Sequence, residues 1–212
     1  MAAVPTLEIV AFVEQQILPR YAAFDRAHSL DHVNQVIRRS LSLARQVGAD
    51  LDMAYVVAAY HDLGLSGPRA VHHLTGGKIL RSDVRLRRWF SAEQIRIMGE
   101  AVEDHRASSA HEPRTVYGRI VADADRDLRP QTVFARTIQY GLTHYAEMDR
   151  EAQWQRFLEH MHHKYAETGY VRLWLSTPEN QQELKTLRDI IHDELRLRQE
   201  FERIFDSLQT DR

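Results

Sequence analysis

Residues 50–64 read DLDMAYVVAAYHDLG. Asp50 offers a carboxylate to the free backbone N–H groups of a helix starting just after it. Residues 53–60 then form the longest uninterrupted apolar run of the chain, and a helix that is apolar on every side belongs in a protein interior. Eight residues fall far short of a bilayer crossing. The end of this run carries His61 and Asp62 inward, so two ionisable side chains are expected in the core.

The flanking sequence is helical as well. After Ser29, residues 31–47 repeat Val33, Val36, Ile37, Leu41 and Ala44 at steps of three and four, with Arg38, Arg39 and Arg45 off that face. This predicts an amphipathic helix, capped by Ser29 and ended by Gly48. Ser91 and Gln94 form a capping-box pattern ahead of IRIMGEAVEDH. Residues 74–89 and 115–125 read as further helices, residues 65–69 (LSGPR) as a loop and Pro130 as a break. Further on, a helix near 150–167 stops at Thr168-Gly169, and Ser176-Thr177-Pro178-Glu179 is a capping box opening one long helix to about Leu208.

Nine Gly, six Pro and no sustained Val/Ile/Thr alternation leave strands little to nucleate on. The expected fold class is all-α: a helical core over residues 1–130 and a C-terminal helical extension over 131–212. No Gly-, Ser- or Pro-rich linker separates the two, so the extension is expected to pack on the core.

The 212 residues, 43% of them hydrophobic, suffice for a real core. Twenty-eight Lys+Arg against thirty Asp+Glu give −2, with no global attraction for nucleic acid or anionic lipid. With zero cysteines, thiolate metal sites, disulfides and a cysteine nucleophile are excluded. The N-terminal segment carries Glu8 and lacks a basic start, so a cytoplasmic, membrane-free protein is expected, with room for a homo-oligomer. Against this background twelve histidines stand out.

His32 falls in the first turn of its helix, His61-Asp62 at the end of the buried one, and Asp123 and Asp125 in IVADADRDL at the end of another. Each follows apolar residues that carry it inward. Buried imidazoles and carboxylates are costly unless paired or metal-bound. Two imidazoles and two carboxylates suit Mn, Fe, Co, Ni or Zn.

In order and spacing the chain resembles the HD-domain metal-dependent phosphohydrolases. The match runs through DHVNQV (His32), AAYHDLG (His61, Asp62), HHLTGGKIL (His72), EDHR (His105) and VADADRDL (Asp125), over roughly residues 25–130. The resemblance implies an HD-domain helical bundle with one or two divalent ions, Mg included. His32, His61, Asp62 and Asp125 would ligate, with His72 and His105 completing a second site and Asp62 bridging both. Asp125 is preferred to Asp123 because the family's last Asp follows Ala and precedes a basic residue, as in Ala124-Asp125-Arg126. Asp62, His72 and His105 would then serve catalysis, with Arg69, Lys78 and Arg106 as phosphate contacts near the ligands.

The implied activity is phosphomonoesterase or phosphodiesterase action, through a metal-activated water, on a small phosphate ester, nucleotide-like in type. Other HD-fold readings are a di-iron oxygenase and a non-catalytic metal- or ligand-binding regulator. Leu65 stands where cyclic-dinucleotide phosphodiesterases carry Lys after HDxG, and no Gly-Tyr-Pro follows. Cyclic di-GMP is therefore disfavoured. The chain also lacks the synthetase domain of large alarmone enzymes, which leaves a small stand-alone alarmone hydrolase open. His28 reads as a loop residue, His73 as a substitute for His72 and His111 as a pocket-mouth residue. His160, His162 and His163 read as a mostly solvated face, as does the basic stretch 81–88.

Overall fold

The computed structural model describes residues 4–24, 29–108, 111–175 and 177–210, and no strand occurs among them. The α-helices are α1 (Leu7–Gln16), α2 (Leu30–Val47), α3 (Leu51–Tyr60), α4 (His72–Ser82), α5 (Ala92–Glu103), α6 (Val116–Asp125), α7 (Pro130–His144), α8 (Arg150–Tyr165), α9 (Pro178–His192) and α10 (Glu194–Thr210). The chain divides into two compact units, Met1–Arg126 and Asp127–Arg212. No helix among the described residues is long and apolar enough to cross a membrane.

In the first unit, α3 is the central helix, and its residues from Met53 to Tyr60 are all buried. Asp50 caps it, accepting from the N–H groups of Asp52 at 2.8 Å and Met53 at 3.1 Å. Helix α2 lays its apolar face, with Val33, Val36, Ile37, Leu43 and Ala44 buried, along α3 and α6. Gly48 ends it at φ +68°, the left-handed conformation that costs glycine nothing. Helix α5 opens on the capping box of Ser91 and Gln94 and packs on α3, α4 and α6. Thr115 caps α6 through the N–H of Gly118 at 3.0 Å.

Several boundaries differ from the sequence reading. The helix expected over 74–89 ends at Ser82. Asp83 accepts from the Arg85 N–H at 3.1 Å and caps a separate 3-10 turn, Val84–Arg88, an Asp side chain competing with the helical backbone. The loop 65–69 is two 3-10 turns, Leu63–Ser66 and Arg69–Val71. Ser29 sits at the N-cap of α2 without a side-chain cap bond. Helix α1 carries only a weak apolar pattern and was not foreseen.

The second unit is built from α7–α10 around Phe134, Trp154, Phe157 and Phe201. Pro130 begins α7, where its missing N–H costs no bond. The single long C-terminal helix is in fact α9 and α10, broken at Asp193, whose ψ is 87° and whose carboxylate accepts from the Arg196 N–H at 3.0 Å. Thr177 caps α9 by position alone, without a side-chain bond, and Ser176 lies outside the described residues.

Candidate metal centre

Five chain segments supply the centre, the first of them the opening turn of α2, which carries His32. His61 follows the last turn of α3, and the Tyr21 hydroxyl donates to the Ala59 carbonyl beneath it at 2.9 Å. Beyond Asp62, the turn Leu63–Ser66 folds back on α4. That approach needs glycine twice. A Cβ on Gly64 would lie 1.8 Å from the His72 carbonyl oxygen, and one on Gly76 would lie 3.1 Å from the His61 carbonyl oxygen. The close backbone contact brings His72, the first residue of α4, opposite Asp62. His105 arrives just past the end of α5, and Asp125 is the last residue of α6.

Three of the imidazoles are fixed from behind. The Nδ1 atoms of His61, His72 and His105 lie 2.8, 2.8 and 2.6 Å from the carbonyl oxygens of Ala58, Arg69 and Val102. A carbonyl only accepts, so each Nδ1 carries a proton, and Nε2 is the ring atom left to ligate. Those Nε2 atoms converge. His61 Nε2 is 3.4 Å from His32 Nε2 and 3.2 Å from Asp62 Oδ2. His32 Nε2 is 3.2 Å from Asp125 Oδ1. On the other side of Asp62, His72 and His105 Nε2 lie 3.1 Å apart, and each is 3.6 Å from Asp62 Oδ1.

Acceptors gathered around acceptors need protons or cations between them. The donor set fits a metal: bonds of about 2.1 Å put neighbouring ligand atoms about 3.0 to 3.4 Å apart around an octahedral or tetrahedral ion. Two groups could hold an ion, His32–His61–Asp62 and Asp62–His72–His105, and they share Asp62. Asp125 Oδ1 faces the first group.

The electrostatics follow from the same convergence. Burial opposes charging His32, but hydrogen bonding to Asp125 and to Asp62 outweighs it and lifts the imidazole to about 9. Burial and then the neighbouring His105 push His72 down to about 4. For His105 burial is again opposed by Asp62, which holds it above the usual histidine range. Asp62 and Asp125 both sit below the usual carboxylate range: burial would raise them, but the surrounding imidazoles win.

Other expected residues stand elsewhere. Asp123, fully buried, pairs with Arg126 Nη1 at 3.1 Å. Arg69 is exposed, with its carbonyl holding His72. Lys78 is exposed on α4. Arg106 Nη1 donates to the Ala70 carbonyl at 2.9 Å, and Arg106, His73 and His111 line a cavity that Asp62, His72 and His105 do not. His28 lies outside the described residues. On α8, His162 and His163 are exposed and His160 half-buried. No metal-holding group forms there among the described residues. Tyr21 and Gly64 were missed by sequence reasoning, because nothing local distinguishes a tyrosine or glycine that will meet a helix end.

The HD domain family model matches residues 29–129. Residues 29–129 are an HD domain. This HD domain spans every side chain of the centre, from His32 to Asp125. Among solved structures, a Lactobacillus plantarum protein is 18% identical over 98% of this chain and 99% of its own, with a TM-score of 0.64. Bacillus subtilis YpgQ, in complex with ADP, is 15% identical over 90% of this chain and 93% of its own, with a TM-score of 0.58. A predicted HD superfamily hydrolase from an uncultured Thermotogales bacterium is 24% identical over 74% of this chain and 86% of its own, with a TM-score of 0.49. No curated protein matches this chain at a significant level. At these identities the likeness concerns the fold, and the HD domain carries the family.

Proposed function

We propose that the protein is a metal-dependent phosphohydrolase acting on a small phosphate ester of nucleotide type. The observation that carries this reading is the pair of three-donor groups sharing Asp62, each with imidazole Nε2 atoms turned inward. The ADP bound by YpgQ, a protein of the same fold, supports the nucleotide class.

Six residues, His32, His61, Asp62, His72, His105 and Asp125, would hold two divalent ions. Such ions supply an acidified water and neutralise charge on a phosphoryl oxygen. The chain's own contribution is order. Asp62 turns one carboxylate oxygen to each group, so it spaces the two halves and orients whatever lies between them. Carbonyls behind His61, His72 and His105 keep the Nε2 atoms in the neutral, ligating tautomer. Arg69, anchored at the rim through the carbonyl that holds His72, is the cation assigned to substrate phosphate, with Lys78 further along α4.

The test is phosphate release from a panel of nucleotides, phosphodiesters and an aryl phosphate with Mn, Co, Ni, Zn and Mg. Metal-dependent turnover that vanishes in Asp62→Asn is the expected result. An iron pair with near-UV absorbance and no phosphate release from any substrate would replace this reading with oxygen chemistry.

A further inference from the structure

The last carbonyls of a helix have no partner within it, and at the end of α3 two of them are engaged by side chains. Ala58 takes the Nδ1 of His61 at 2.8 Å. Ala59, the next residue, takes the hydroxyl of Tyr21 at 2.9 Å, from 38 residues away in the chain. Tyr21 stands on a 3-10 turn, Leu18–Ala23, that packs on α2, and it is among the largest fully buried side chains of the protein. Burial, then the charge of Asp62, push its phenol well above the ordinary value. The hydroxyl therefore keeps its proton and serves as a fixed donor to the carbonyl.

The place of that bond gives it leverage. Ala59 precedes His61 and Asp62, adjacent donors of the centre, and Asp62 belongs to both metal-holding groups. A helix that ran on would give the Ala59 carbonyl the N–H of residue 63. Here Leu63 opens a separate 3-10 turn, Leu63–Ser66, and the hydroxyl supplies the proton instead. Without it, a buried acceptor loses its donor, and the helix end gains a reason to rewind toward another.

We propose that Tyr21 is a positioning residue for the metal centre: through the Ala59 carbonyl its hydroxyl fixes the end of α3, and so sets where His61 Nε2 and the Asp62 carboxylate meet an ion. The proposal rests on the metal centre of the proposed function, not on the reaction performed there.

The test compares two deletions of a single hydroxyl. Tyr60, also fully buried and next to His61 in the chain, donates to Asp83 Oδ2 at 2.7 Å, a residue outside the centre. Tyr21→Phe and Tyr60→Phe should both lower the melting temperature of the chelator-treated full-length protein, as loss of a buried hydrogen bond does. Only Tyr21→Phe should also bind cobalt(II) about tenfold or more weakly and alter its visible absorption, which reports ligand geometry. 4-Aminophenylalanine at position 21, with an N–H where the hydroxyl was, should restore both readouts. Should Tyr21→Phe not fold, 4-fluorophenylalanine at position 21 takes its place, since it fills the hydroxyl's space without a proton to donate. Wild-type cobalt affinity and spectrum in the folded variant, an equal loss in Tyr60→Phe, or failure of the amine to rescue would each overturn the proposal. A wild type that binds no cobalt would remove the centre itself, and the proposal with it.

Discussion

The Nε2 atoms of His72 and His105 face each other at 3.1 Å, and the Nδ1 of each ring donates to the carbonyl three residues before it. Both Nε2 atoms therefore face one another and Asp62 Oδ1, an arrangement that requires either a proton or a cation between them.

Metal stoichiometry follows from that pair. Titration of the chelator-treated protein with Mn or Co should reach two ions in the wild type and one in His72→Ala and in His105→Ala. A single ion in all three proteins would hand these histidines to substrate instead.

Asp123 and Asp125, two residues apart on α6, point to different partners. Asp125→Asn should lower metal uptake and abolish metal-dependent turnover with little change in stability. Asp123→Asn should do the reverse, leaving Arg126 beside a weakened partner in a buried position and costing about 2 to 3 kcal/mol of stability. Denaturant unfolding alongside elemental analysis separates the two. Full metal loss in Asp123→Asn would mean that the wrong carboxylate has been assigned.

Gly64 and Gly67 lie in one short segment and should respond very differently to alanine. At Gly64 the added Cβ would meet the His72 carbonyl oxygen and the Gly76 nitrogen at 2.6 Å, whereas at Gly67 its nearest neighbour is 3.6 Å away. Because backbone atoms cannot rotate aside, Gly64→Ala should cost about 3 kcal/mol or more and reduce metal uptake through His72. Gly67→Ala should fold and bind as the wild type does. Similar melting temperatures for the two variants would contradict the close approach.

A pH effect belongs to α8. Burial, then the charges of Lys164 and Arg156, push His160 down to about 4 from its ordinary 6.5. As pH falls below 6.5 the unfolded chain takes up a proton that the folded chain refuses, so stability is full above that value and drains away toward 4. Between pH 7 and pH 5 the loss is about 1 to 2 kcal/mol. In His160→Gln this part of the loss should disappear, read as the difference between variant and wild type in urea unfolding at the two pH values. Identical pH slopes would refute it.

Much of this was readable from sequence because the signals were local. The apolar run of α3, the capping box of Ser91 and Gln94 and the glycine stop at Gly48 each lie within a few residues of what they dictate. The six side chains of the centre could be named because each follows an apolar stretch in a recognisable order, and the structure gathers four imidazoles around Asp62 with Asp125 against His32 and His61. The misplaced boundaries came from Asp83 and Asp193, where a carboxylate bonds to a nearby N–H and breaks a helix whose periodicity runs on. Tyr21 under Ala59 and Gly64 against His72 depend on contacts across the fold, which no local pattern encodes.

The carbonyl-held rings also bear on when the centre comes into being. Fixing a side chain costs rotamer entropy, and here His61, His72 and His105 give it up during folding, to hydrogen bonds that involve no metal. A preorganised pocket of this kind asks little further ordering of an arriving ion. Zinc fingers lie at the opposite extreme, since there the ion is the reason the chain folds at all. This protein has a buried apolar core of its own around α3, so the stripped protein should keep its helical circular dichroism, and metal should return to a receptacle already shaped to hold it.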